Sequence, residues 1–207
     1  ADQFKGLDIE YLWNDTTYNV IHLDFIFYKL SGSTDEFLTN FNYNLKNKLC
    51  SLEPDIFNSD NCDSPANILE NILKNHDNLV LLIDEFDVPL TYTLNDEEMF
   101  NDRLEFLSDF FNVIQKYLHK FRFIFMAANV NTFVNPKFSQ FNSYIDLSTD
   151  SEFGDLIGFT EEALRTCCGE NLDNAASELN KDTESQTYTK ENVLELMKKY
   201  YGGYYFG

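Results

Sequence analysis

Apolar positions in this chain fall into two regimes, short unbroken runs and longer stretches with an apolar residue every third or fourth place. The first regime marks strands and the second marks helices. Residues 18–25, rich in Val, Ile, Leu and Phe after Asp15-Thr16-Thr17, predict a strand closed by Asp24. Ser33-Thr34-Asp35-Glu36 carries helix-start chemistry, and Phe37, Leu38, Phe41 and Leu45 continue a helix to about Leu49. Pro54 and the Asn, Asp and Ser residues of 51–61 predict an exposed connection. Ser64-Pro65 then opens a second helix through Ile68, Leu69, Ile72 and Leu73. Residues 79–83 are five consecutive apolar positions, which fit a strand covered on both faces. Beyond Pro89, Asn95-Asp96-Glu97-Glu98 begins a long helix whose Phe100, Leu104, Leu107, Phe111, Ile114 and Leu118 share one face. Residues 121–127 predict a further strand and 144–147 a short one.

Strands separated by helices point to an α/β core with parallel pairing through right-handed crossovers. From about Glu152 the strand signals stop. Thr160-Glu161-Glu162 fits a helix start, residues 171–186 are polar and predict a mobile stretch, and 191–201 predict a last amphipathic helix with Lys198 and Lys199 near its carboxyl end. The expected division is residues 1–150 as the α/β core and 151–207 as a helical extension. Gly202-Gly203, flanked by Tyr201, Tyr204 and Phe206, predicts a tight positive-φ turn used for packing.

Charge narrows the function. Thirty-five acidic against fifteen basic side chains give a formal net charge of −20, which repels polyanions and argues against direct nucleic-acid binding by this segment. Arg103, Arg122 and Arg165 are the whole arginine complement, so no basic stripe with interleaved aromatics is present. The twenty Phe and twelve Tyr are assigned to core and helix faces. Cys50, Cys62, Cys167 and Cys168 lack paired C-x-x-C spacing and a nearby histidine, and read as structural thiols. No apolar run approaches the roughly 20 residues of a membrane helix. With no signal peptide at the start, a cytoplasmic home is expected, although a truncated start would remove a targeting sequence.

The candidate chemistry sits after the most apolar run, where Asp84, Glu85 and Asp87 bring three carboxylates within four positions. Ligands of parallel α/β sheets bind beyond the carboxyl ends of the strands, where Asp84 and Glu85 would lie. An Asp there can hold a magnesium shell and a following Glu can orient and deprotonate an attacking water; a solvated acidic turn at a strand end is the alternative. Asp24 ends a neighbouring strand, as a turn acid or an outer partner of magnesium. His22 alternates with Asp24 and is expected to face a helix as a structural residue. Asp87 is expected to cap local backbone ahead of Pro89.

Six segments in order carry a resemblance. They are Phe4-Lys5-Gly6-Leu7-Asp8-Ile9, Tyr18-Asn19-Val20-Ile21-His22-Leu23-Asp24-Phe25, Leu82-Ile83-Asp84-Glu85-Phe86-Asp87-Val88-Pro89-Leu90, Phe141-Asn142-Ser143-Tyr144-Ile145-Asp146-Leu147-Ser148, Gly158-Phe159-Thr160-Glu161-Glu162 and Tyr200-Tyr201-Gly202-Gly203-Tyr204-Tyr205-Phe206-Gly207. Together the chain resembles the AAA-ATPase-like family, whose members often stand beside a PD-(D/E)XK nuclease-like domain. The resemblance implies a P-loop NTPase-like, mostly parallel sheet with flanking helices, followed by a mainly helical carboxyl-terminal part. It implies ATP and Mg2+ as ligands of the full-length protein, Asp84 at the metal, Glu85 as catalytic base, and a protein partner or associated nuclease-like domain. The 121–127 strand then corresponds to the one that senses the terminal phosphate, with Ala128 and Asn129 where the family has Thr-Gly, so that the hydroxyl is lost and the Asn129 amide stands in for it, and Arg165 to a lid or trans-acting arginine. A loop-capping Asn129 and a surface ion pair at Arg165 are the alternatives.

The same resemblance implies a phosphate loop of the Gly-Lys-Ser/Thr kind, and no such run occurs in these 207 residues, which begin with Ala1. The expectation is a piece of a longer protein without the strand that precedes that loop, or else a degenerate member. In the superfamily's order that strand lies between 121–127 and 144–147, so the sheet should show a gap, a rearranged edge or a substitute. The leading function is ATP binding and hydrolysis in the complete protein, with no nucleotide held tightly by this segment. The alternative is a pseudo-ATPase scaffold. A metal-dependent nuclease is disfavoured because no Glu-x-Lys follows on an adjoining strand.

Overall fold

The computed structural model describes residues 4–7, 9–12, 17–28, 32–57, 63–154, 158–181 and 187–202. In chain order they form α1 (Ile9–Leu12), β1 (Asn19–Asp24), α2 (Thr34–Leu49), α3 (Pro65–Asn75), β2 (Leu79–Asp84), α4 (Val88–Thr91), α5 (Glu97–Lys116), β3 (Phe121–Met126), α6 (Glu161–Cys167), α7 (Gly169–Lys181) and α8 (Lys190–Tyr201). The described chain divides into two compact units, Ala1–Ser143 and Tyr144–Gly207. None of its helices is long and apolar enough to cross a membrane.

The helix starts follow the sequence chemistry. Ser33 caps α2 in a reciprocal capping box with Glu36, Ser64 caps α3 ahead of Pro65, and the Asp96 carboxylate caps α5 at the Met99 amide. Each cap satisfies an amide that the first helical turn leaves without a partner.

In the first unit, β1, β2 and β3 form a parallel sheet in that order, with Ile21 opposite Leu81 and Leu81 opposite Ile124. One face is buried: Ile21, Leu23, Leu81 and Ile83 join Phe37, Phe41, Leu69, Ile72, Leu107 and Phe110 from α2, α3 and α5 in a single cluster. Phe25, Phe41, Phe106 and Phe110 meet mainly edge to face in the interior, as expected, whereas other aromatics, among them Tyr11, Phe27 and Tyr43, are exposed. Arg103 is 1 % exposed, its guanidinium 3.6 Å over the Phe37 ring.

The other face departs from expectation. Val20, Phe123 and Phe125 are 54 %, 54 % and 47 % exposed, and His22, expected to face a helix, is exposed beside them. Helices on both faces were expected, but the helices that share the core with β2 lie on one. Residues 144–147 are not a strand, and β3 is the last strand of the sheet among the described residues. A strand needs a ladder neighbour for its backbone groups, and in the order implied by the resemblance another strand separates this segment from β3.

The second unit holds two further corrections. Residues 169–181 are helical, with Leu172 and Ala176, four apart, buried against Val193 and Leu194 of α8; residues 182–186 of the predicted mobile stretch lie outside the described residues. Gly202 follows α8 with φ −81, so the positive-φ turn is not present there, and Gly203 lies outside the described residues. Gly202 is required by close approach instead, because a Cβ would run into the Lys198 carbonyl. Cys167 ends α6 and Cys168 follows it, both as free thiols.

Two carboxylates give opposite pH dependences. Glu70 of α3 accepts from Lys116 Nζ at 2.7 Å and Tyr117 Oη at 2.9 Å, and these bonds hold it below the ordinary glutamate range. Its contribution is present above the unfolded pKa and is lost as pH falls through the folded one. Asp109 lines an acidic cleft with Asp63, Asp102 and Glu105, and burial, then Glu105, push its carboxyl up. A raised acid binds more protons when folded, so stability falls as pH rises through its range. Denaturant titrations from pH 3 to 7 should show Glu70→Gln flattening the acid limb and Asp109→Asn gaining stability at neutral pH. No gain for Asp109→Asn at pH 7 would contradict the cleft electrostatics.

Candidate functional site

The strand ends of the first unit converge at one edge. Asp24 and Asp84 are register partners at the carboxyl ends of β1 and β2. Asp24 is spent locally, its Oδ1 accepting from the Ile26 amide at 3.1 Å to cap a short 3-10 turn. Asp84 is exposed, and its Oδ1 accepts from the Glu85 amide at 3.0 Å.

Past Asp84 the ladder with β3 continues with one residue too many. Ala127 donates its N–H to the Ile83 carbonyl at 2.9 Å, and its carbonyl accepts from the Phe86 amide at 3.3 Å. A regular parallel ladder bonds residues two apart on the facing strand, whereas Ile83 and Phe86 are three apart. The extra residue makes a bulge, a device that re-aims side chains. Asp84 and Glu85 occupy it, and Glu85 takes φ +54, a left-handed backbone unusual for a residue with a side chain. Phe86 anchors the far side, stacked on Phe133 at 4.7 Å and edge-on to Phe111 at 5.8 Å.

Asp87 and Asn129 complete the arrangement. The Asp87 side chain is 1 % exposed, its Oδ1 accepting from the Asn129 amide at 3.2 Å and its Oδ2 from the Val130 amide at 3.1 Å. Its expected role was local, and the backbone it holds is more than forty residues away. The Asn129 side-chain amide in turn donates Nδ2–H to Glu85 Oε2 at 2.7 Å. The acceptor is a carboxylate, so the amide orientation is fixed by chemistry. Two residues singled out separately in the sequence, Glu85 and Asn129, are thereby brought into contact, beside Asp84.

Arg165 belongs to the second unit, where its guanidinium meets Glu161 at 2.7 Å and Glu191 at 3.3 Å, and the Glu161 bond raises it above its ordinary range. Among the described residues no three His, Cys, Asp or Glu side chains form a metal cage. Sequence reasoning missed the bulge and the reach of Asp87. A second acid after a strand-ending Asp-Glu pair, two residues before Pro89, is the available signal, and nothing in it specifies a partner in the segment after β3.

A family model described as AAA-ATPase-like, predicted AAA-ATPase, matches residues 1–137. That span holds Asp84, Glu85, Asp87 and Asn129 and leaves out Arg165. No curated protein and no solved structure matches the chain.

The bulge makes a stability prediction independent of any activity. Glu85→Gly and Glu85→Ala both remove the bond to Asn129, but only glycine accepts φ +54 without strain. The left-handed region costs other residues about 1–2 kcal/mol. Urea denaturation should find the glycine variant more stable than the alanine variant by about 1 kcal/mol, the reverse of the order within a helix. An alanine variant as stable as the glycine one would mean that position 85 is not left-handed.

Proposed function

Because this chain belongs to the predicted AAA-ATPase-like family, we propose that its first unit is the catalytic half of an ATP-hydrolysing site, with β2 as the Walker B strand. The observation that carries the reading is the 2.7 Å bond from Asn129 to Glu85 beside the exposed Asp84, at the carboxyl ends of parallel strands. Glu85 orients and deprotonates the attacking water. With Oε2 engaged by Asn129, Oε1 is the oxygen left to accept the proton. Asn129 sits at the end of the strand next to Walker B, where its amide holds the base and reports on the terminal phosphate.

Magnesium keeps several waters and phosphate oxygens and takes only one or two protein carboxylates. Asp84, exposed and engaged through one oxygen by a neighbouring amide, suits that role without a protein cage. The bound ion would neutralise charge on the phosphates. Arg165 joins as a lid arginine only by leaving Glu161 and Glu191. The open face of the sheet and the outer side of β3 suit a further strand and helix bringing the phosphate loop. The pseudo-ATPase scaffold is favoured by one fact, the absence of a Gly-Lys-Ser/Thr run in these residues.

In a protein that carries both this chain and a phosphate loop, Glu85→Gln keeps size and hydrogen-bonding shape but removes the base. ATP should still bind while turnover drops by roughly 100-fold or more. Asp84→Asn should instead weaken magnesium-dependent binding. Phosphate-release assays alongside binding titrations separate the two, and a wild-type rate for Glu85→Gln would sink the enzymatic reading.

The 207-residue chain by itself should bind ATP weakly or not at all. A phosphate loop supplies charge-assisted hydrogen bonds worth roughly 1.5–3 kcal/mol each, and three or four of them account for most of the approximately 8 kcal/mol behind micromolar affinity. Calorimetry with ATP and Mg2+ should show no micromolar binding; such binding would place the phosphate donors within these residues.

A further inference from the structure

Asp87 is the one fully buried carboxylate at the site, and the proposed chemistry gives it no contact with substrate. Its geometry is specific all the same. Both oxygens are used, and both bonds cross from the turn after β2 to the segment after β3, at the two consecutive amides of Asn129 and Val130. On its own side, the Asp87 carbonyl accepts from the Leu90 and Thr91 amides at 3.0 and 2.9 Å, so its backbone is fixed by the first turn of α4. The carboxylate is thus held from behind by a helix and grips a loop in front.

What it grips is the residue that touches Glu85. The Asn129 backbone amide is on Asp87 at 3.2 Å and the Asn129 side-chain amide is on Glu85 at 2.7 Å. Glu85 and Asp87 flank Phe86, so the three residues and Asn129 close a ring of bonds around the bulge. A flexible loop would let the asparagine side chain wander, because a single amide-to-carboxylate bond at a half-exposed site does not order a loop. A buried charged acceptor with two backbone donors does, since releasing either donor leaves the charge short of a partner in a dry environment.

We propose that Asp87 is a positioning residue: it sets the Asn129 amide on Glu85, and through it fixes the carboxylate that activates water. The catalytic part rests on the ATPase reading above; the positioning part does not. Displacing a catalytic group by about 1 Å costs up to two orders of magnitude in rate. Asp87→Asn keeps shape and one acceptor but turns an NH2 group toward one of the two amides, so the grip is halved.

Two arms test it. In the 207-residue chain, NMR should find couplings across the hydrogen bonds from the Asn129 and Val130 amide nitrogens to the Asp87 carboxyl carbon, a measurement needing no variant. Asp87→Asn should speed amide exchange at Asn129 and Val130 by about 10-fold or more relative to β2, and shift the Asn129 side-chain resonances. Absent couplings, or wild-type exchange and resonances in Asp87→Asn, would overturn the positioning. In a protein with the phosphate loop, Asp87→Asn should lower kcat about 10-fold with KM for ATP within about 2-fold. If Asp87 acts through Asn129, the Asp87→Asn, Asn129→Ala pair should fall no further than the worse single variant; multiplying effects would overturn that route. A wild-type protein without hydrolysis would remove the ATPase reading and leave the NMR arm to decide the positioning.

Discussion

The site depends on a buried negative charge shared between two loops. Taking a carboxylate out of water is costly unless every oxygen finds a donor, and Asp87 finds two in consecutive backbone amides. Side-chain donors would have needed rotamers of their own to be frozen. Backbone donors arrive already fixed by the strand that precedes them, because Ala127 is still in the ladder with Ile83 and Phe86. The bulge and the Asp87 grip therefore reinforce each other: the ladder delivers residues 127–130 at the right height, and the carboxylate keeps them there. The left-handed backbone of Glu85 is tolerable in that setting, since the chain is held on both sides of it, by the Ala127 bonds and by Phe86 stacked on Phe133.

Among the described residues, the sheet that presents this site has a buried face on one side only. Parallel sheets bury both faces, because the crossovers that connect parallel strands place helices over them. Here α2, α3 and α5 contribute to one core, and the register that puts Ile21, Leu81 and Ile124 together sends Val20, Val80 and Phe123 to the opposite face. The aromatic density of the covered side compensates for the small sheet. Phe25, Phe106 and Phe110, each edge to face with Phe41, bury a large area from few residues, which suits a described sheet of three short strands.

Much of this was legible because the strong signals are local. Caps at Ser33, Ser64, Asp96 and Thr160 and the apolar periods of α2, α3 and α5 depend on residues a few positions apart, and they appear where the sequence places them. The failures share a different cause. An unbroken apolar run in 79–83 reads as two-sided burial, yet side chains alternate, and only the neighbours of each face decide what covers it. Residues 144–147 have strand composition, but a strand is a pairing, and the pairing is not written in the segment. Residues 171–186 read as polar because the buried stripe of the helix in 169–181 is only Leu172 and Ala176, too thin to stand out beside α8, which supplies the other half. Asp84, Glu85 and Asn129 stand out in the sequence by type and position, and the structure brings Asn129 onto Glu85; the reach of Asp87 across to the Asn129 and Val130 amides is not legible, since a long-range backbone acceptor leaves no sequence pattern.

Charge connects composition to chemistry. The described site consists of acids and an amide: Asp24 capping a turn, Asp84 exposed, Glu85 held by Asn129, and Asp87 buried. In the proposed ATPase such a set would serve a divalent cation and an attacking water, but it repels the phosphates on which an ATPase acts, and a formal charge of −20 deepens that repulsion. Arg165, a cation singled out for phosphate, has its guanidinium committed to two glutamates. Within the ATPase reading the work is therefore divided. These residues supply the metal ligand, the base and its support, while backbone donors and a lysine supply the grip on phosphate. On that reading the Glu85 carboxylate takes its support from the protein alone: its partner is the Asn129 amide and, behind that, the buried Asp87, and neither bond involves the phosphate.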